Sequence, residues 1–274
     1  VEANGAINAS GKGFPAGTGT PSGPGHPANA TGAGHGGRMY SQATYGTPFE
    51  PLTLGSGGQS AGHHGGGAVR LVVGGTLTVN GVVSAKGNGC TESGDQSYAG
   101  SGGSIWITCG ELAGAGTLTV KGGDVFNNFC GSGGRIAVHQ TTAADFAAWQ
   151  GAVVVEGGRK TGDAEVPRSA PGTAFLRSAG GNGGRLLIDG GGLTRDPNQL
   201  NPNSYTDLLP TNWCPAVKAD FRNVTVEISG RAQAYLLDNL KIEDFELAAG
   251  ASLDLAGHEL RLGSRAHCNA QTRA

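Results

Sequence analysis

Arg135 and Arg185 each stand directly after a Gly-Gly pair, in GGRIAV at 133–138 and GGRLLI at 183–188. If the two strands stacked as neighbours, their guanidinium groups would form a basic ladder able to grip the carboxylates of an acidic glycan. Trp106, in GGSIWI at 102–107, could add an aromatic platform for a sugar ring, as could Trp149 and Trp213. The plainer reading makes the arginines solvated charges that blunt strand edges and the tryptophans packing residues. Cleaving a polysaccharide would further need clustered carboxylates, or a base with an acidic or metal-bound partner. The candidate acids are Asp145, Glu156, Asp163, Glu165 and Asp189, and only Asp163 and Glu165 are close in sequence.

His26, His35, His63 and His64 fall in a glycine-rich stretch and could bind a transition metal, but their spacing matches no ligand motif. Glu243, Asp244 and Glu246 alternate as outward charges on a strand would, and the calcium-binding glycine-rich nonapeptide is missing. GxSxG, P-loop and HExxH motifs are absent as well. The expectation is therefore no cofactor, no metal and no assigned catalytic residue. Five cysteines, none in a CxxC, argue against zinc and allow two disulfides, Cys90 with Cys130 and Cys214 with Cys268. Asn8, Asn29 and Asn223 each open an N-x-S/T triplet, as in a secreted glycoprotein.

Short strands must carry these residues. Glycine makes up 52 of 274 residues, against an ordinary level of about 7%, and Val, Ile and Leu alternate between the glycines. The pattern Gly-Gly-x-φ-x-φ, with φ apolar, starts at 66, 102, 133 and 183. Period-2 alternation makes Val69, Ile105, Ile136 and Leu186 one inward column, and Leu71, Ile107, Val138 and Ile188 the next. A second strand is expected after each of the first three, at TLTVNG 76–81, TLTVKGG 117–123 and AVVVEGG 152–158. Unequal repeat spacing disfavours a closed propeller and suits a solenoid, in which each coil touches only its neighbours.

Four segments follow from this reading: a glycine-rich N-terminal extension at 1–65, repeats at 66–191, an irregular connection at 192–220, and further coils at 221–274. Residues 1–65 are expected to be ordered by lying on the solenoid or by packing as extended glycine strands. Residues 142–150 are the best candidate for a short helix or 3-10 turn. Thr76, Thr78, Thr117 and Thr119 suggest a flat threonine face, which Ala152 and Val154 interrupt.

The run from GSGG at 55–58 to GGRLLIDGG at 183–191 resembles the glycine-rich parallel β-helix repeats of large bacterial surface proteins. ASLDLAGHELRL at 251–262 is similar to coils of autotransporter and adhesin passengers. The resemblance implies an all-β, right-handed parallel β-helix and secretion to the cell surface or beyond. The expected role is a structural or adhesive module of a surface layer or filament, self-associating through solenoid ends or the N-terminal segment. The alternative is a polysaccharide-binding or polysaccharide-degrading β-helix. A net charge of −2 gives no basic footprint for nucleic acid, and no apolar run is long enough to span a bilayer.

Overall fold

The computed structural model describes residues 1–17, 22–27, 31–39, 42, 44–93, 98–162, 166–167, 169–181, 183–192, 205–208 and 221–268. The chain is all-β with almost no helix, and most of its strand pairs are parallel. The first half contains β1 (Ala6–Asn8), β2 (Ala68–Thr78), β3 (Val82–Ser84), β4 (Ser104–Ala113), β5 (Thr117–Thr119), β6 (Arg135–Gln140) and β7 (Ala152–Val154). A small antiparallel pair, β8 (Arg159–Lys160) with β9 (Val166–Pro167), precedes β10 (Thr173–Arg177). The second half contains β11 (Gly184–Asp189), β12 (Thr206–Leu208), β13 (Val224–Ser229), β14 (Gln233–Leu236), β15 (Leu240–Leu247), β16 (Ser252–Asp254) and β17 (Leu260–Cys268).

One eight-stranded sheet has the order β17-β15-β13-β11-β10-β6-β4-β2. Strands β2, β4, β6 and β10 are parallel, and so are β11, β13, β15 and β17. The two groups meet at β10 and β11, which are antiparallel. A four-stranded parallel sheet, β1-β3-β5-β7, belongs to the first half, and a three-stranded one, β12-β14-β16, to the second.

The antiparallel junction moves the core to the other face of the long sheet. Val69, Ile105 and Ile136 are cross-strand neighbours, as the alternation predicts, but the next residue in that column is Ala174. The column in which Leu186 stands contains Trp106, Ala137 and Phe175. Paired residues share a face, so Leu186 lies on the face opposite Ile136. The packing agrees: Ile105, Ile136 and Val138 pack with Val83, Leu118 and Val155 in one core, and Trp106, Phe175 and Leu186 pack with Val226, Leu208 and Leu236 in another. The expected column ending in Leu186 is thus corrected, because TAFLR at 173–177 enters the sheet first and the chain then turns back.

Other expectations shift too. Thr76–Thr78 belongs to β2 and pairs with Glu111–Ala113, whereas Thr117–Thr119 pairs with Val82–Ser84. The T-L-T runs are therefore in different sheets and form no flat threonine face. Residues 142–150 contain bends and one turn rather than a helix, with Trp149 N–H donating to the Phe146 carbonyl. The connection at 192–220 contains β12, which pairs with β14.

Glycine governs how coils meet. Gly66 N–H donates to Ser101 O, Gly102 N–H to Ser132 O and Gly133 N–H to Ala170 O, at 2.9, 2.9 and 3.0 Å. Gly103, Gly134 and Gly172 donate to the carbonyls of Ala85, Val120 and Val155, where strands of the small sheet end. Gly13, Phe14 and Gly36 join the same lattice, donating to Gly65, Gly55 and Gly133. A Cβ on Gly134 would fall on the Gly103 carbonyl oxygen, whereas one on Gly74 would meet nothing within 4 Å. Backbone has nowhere to retreat in such packing. Gly134→Ala is expected to destabilise the protein by about 3 kcal/mol or more, and Gly74→Ala to change stability by within about 0.5 kcal/mol, both read from chemical denaturation.

Candidate functional site

The structure separates the two arginines of the expected ladder. Arg135 is fully buried: its Nε donates to Tyr45 O at 2.9 Å and one terminal nitrogen donates to Thr173 Oγ1 at 3.0 Å. Arg185 is exposed and ion-paired with Glu227. It pairs across strands with Leu176, not with Arg135, whose neighbours are Ser104 and Thr173. Arg135 is therefore no glycan contact, because the segment carrying Tyr45 covers it. Trp106 is 9% exposed, and Arg70 lies over its ring, 4.2 Å from the centroid.

Around Arg135 the N-terminal segment ties down a polar cluster. Asp207, on β12, is fully buried and accepts both from Arg38, 2.9 Å away, and from Thr44 Oγ1 at 2.7 Å. Its charge opposes the effect of burial on Arg135, whose pKa is lowered to about 10, so the guanidinium stays charged at neutral pH. His35 Nδ1 contacts Gly102 O at 2.7 Å and Nε2 contacts Thr53 Oγ1 at 2.8 Å. This pattern fits a neutral imidazole with its proton on Nδ1. Burial, with Arg135 nearby, pushes the His35 pKa down to about 3. Burial also raises the Tyr45 phenol, whose O–H donates to Leu54 O. Most of the cluster is buried, with the Thr53 hydroxyl donating to His35 Nε2, and its contacts tie His35, Arg38, Thr44 and Tyr45 to Gly102, Asp207 and Arg135.

No disulfide joins Cys90 to Cys130. Cys130 packs with Ala99 and Val125, and the backbone of Cys90 bridges to Val125. Cys214 lies outside the described residues, as do Asn29, Asp163, Glu165 and Trp213. Asn8 and Asn223 are exposed. Asp145 is exposed and Glu156 pairs with Arg159 at 2.8 Å; Asp189 accepts from Gly191 N–H, and the Glu156 carboxylate also lies against Gly191, so these two acids approach each other there. His26 contacts Gly57 O, His63 contacts Tyr98 O, and His64 Nδ1 accepts from Ala16 N–H. Among the described residues no group of His, Cys, Asp and Glu is arranged to hold a metal ion.

Two surface features escape a reading of repeats alone. The first is the outer edge of β2, eleven residues long, beside which no strand pairs among the described residues. The second is a row across β2, β4, β6 and β10 formed by Val72, Thr108, His139 and Arg177. His139 is 6% exposed, and its Nδ1 accepts from Arg177 at 3.2 Å. Burial, and secondarily Arg177, lowers its pKa to about 4, opposed by a backbone hydrogen bond with Phe49. Comparison with known proteins gives no match: no family model, no curated protein and no solved structure aligns with the chain.

Both histidines bind protons more weakly folded than unfolded, so they favour the folded state above pH 6.5, and that contribution falls as pH drops toward 4 and then 3. Each fully differential histidine costs about 1.4 kcal/mol per pH unit. Unfolding free energy measured from pH 7 to 4 should fall steeply, and His139→Gln should flatten the slope.

Proposed function

We propose that this chain is a right-handed parallel β-helix module of a secreted surface layer or filament, acting through self-association rather than catalysis. The observation that carries the reading is the open edge of β2. An unpaired edge strand offers a row of backbone donors and acceptors to another chain. Along it Val72 is 68% exposed, and a Cβ on Gly74 or Gly75 would meet nothing within 4 Å. At the far end of the same sheet stands β17, nine residues long and antiparallel in direction to β2. Joining β2 of one copy to β17 of the next would extend the sheet into a fibre, whereas β2 against β2 would close a two-fold dimer. The resemblance to glycine-rich surface repeats and the exposed asparagines Asn8 and Asn223 fit an extracellular setting.

Sedimentation velocity over a range of concentrations, with electron microscopy of the same samples, tests the proposal. The native chain should form dimers or fibres. Val72→Lys should return it to monomer with unchanged circular dichroism, since an edge lysine discourages strand pairing. A native chain that stays monomeric at every concentration would remove the reading.

A further inference from the structure

The face of the long sheet that leaves the first core carries a second feature, independent of self-association. Its two adjacent rows read Arg70, Trp106, Ala137, Phe175 and Val72, Thr108, His139, Arg177. Arg70 and Arg177 are exposed, Thr108 is half-buried between them, and neither row contains an acid. Three strand spacings of ~4.8 Å and one two-residue step put the bases of the two arginines about 16 Å apart. Between them, Trp106 is nine-tenths buried and covered by the Arg70 guanidinium. Phe49, packed edge-on against Phe175 with ring centroids 4.7 Å apart, borders this patch, and the covering segment at 44–54 brings one acid, Glu50.

We propose that this patch binds an acidic polysaccharide, with Arg70 and Arg177 each engaging a carboxylate. The separation of the cations calls for an extended ligand with repeating charges rather than a single small anion. Thr108 offers a hydroxyl between the two charges, and Arg70 stacked on Trp106 presents a planar donor fork suited to carboxylate. The chain's net charge of −2 disfavours a nucleic-acid polyanion, which is gripped through many cations at once.

Titration calorimetry and tryptophan fluorescence on the full chain, with polygalacturonate as the probe, test this. Dextran serves as the neutral polymer, and polyglutamate and single-stranded DNA as other polyanions. Polygalacturonate should bind and perturb tryptophan emission, with weaker binding at higher salt. Arg70→Ala with Arg177→Ala should weaken it at least tenfold, while Arg261→Ala, a surface cation paired with Glu259, should leave it unchanged. Trp106→Phe should abolish the fluorescence change. The proposal is overturned if polygalacturonate does not bind at low salt, if the double variant binds as well as the native chain, or if polyglutamate or DNA binds as tightly. Since these variants leave Val72 in place, loss of glycan binding with assembly retained separates this proposal from the self-association reading.

Discussion

Everything in this molecule rests on how close one backbone comes to the next at the glycine pairs. At Gly102, Gly133 and Gly66 a side chain would collide with the carbonyl oxygens of Val120, Val155 and Ala85, where the facing strands end. The sheets of the first half can approach this closely only because nothing projects between them there. Amide-to-carbonyl hydrogen bonds occupy the space that side chains fill elsewhere. The apolar core is thereby confined to the strands themselves, where Ile105, Ile136, Leu118 and Val138 are fully buried. The arrangement also accounts for the N-terminal third. That stretch is too poor in apolar residues to build its own core, and its described residues enter the same lattice, with Gly36 bonded to Gly133 and Ala33 to Ala99.

A second constraint is parity. Side chains alternate along a strand, so reversing one strand against its neighbour while keeping the sheet continuous determines which residues face which core. At β10 and β11 this places Leu186 opposite Phe175. The second half therefore builds its core from the face that the first half leaves outward. Trp106, Ala137 and Phe175 consequently belong to the second core, although their strands belong to the first. Phe49 and Arg38, carried by the glycine-rich segment, close that face through Phe175, Phe221, Tyr205 and Asp207. The surface near Arg70 and Arg177 lies where this cover stops.

Much of the first half was legible in the sequence. The alternation that follows each Gly-Gly pair put Val69, Ile105 and Ile136 in one column, and these are neighbours in the sheet. The reversal was not legible, because TAFLR lacks the Gly-Gly that marks the other strands; a single Gly172 and the alternation after it were the only signals. The two T-L-T runs look alike but belong to different sheets, since β2 continues through Gly74 and Gly75, where a break was expected. The fate of Arg135 was beyond local pattern: its cover and its counter-charge come from Tyr45 and Asp207, distant in sequence. Arg70 and Arg177 could not be connected before the place of β10 was known.

The most direct test of the central claim is amide hydrogen exchange by nuclear magnetic resonance on the native protein. The amides of Gly66, Gly102, Gly133 and Gly134 donate to backbone carbonyls in the close-packed lattice, so they should exchange as slowly as those of Ile105 and Ile136 and share the free energy of global opening. Fast, loop-like exchange at these glycines while the strand amides remain protected would contradict the account.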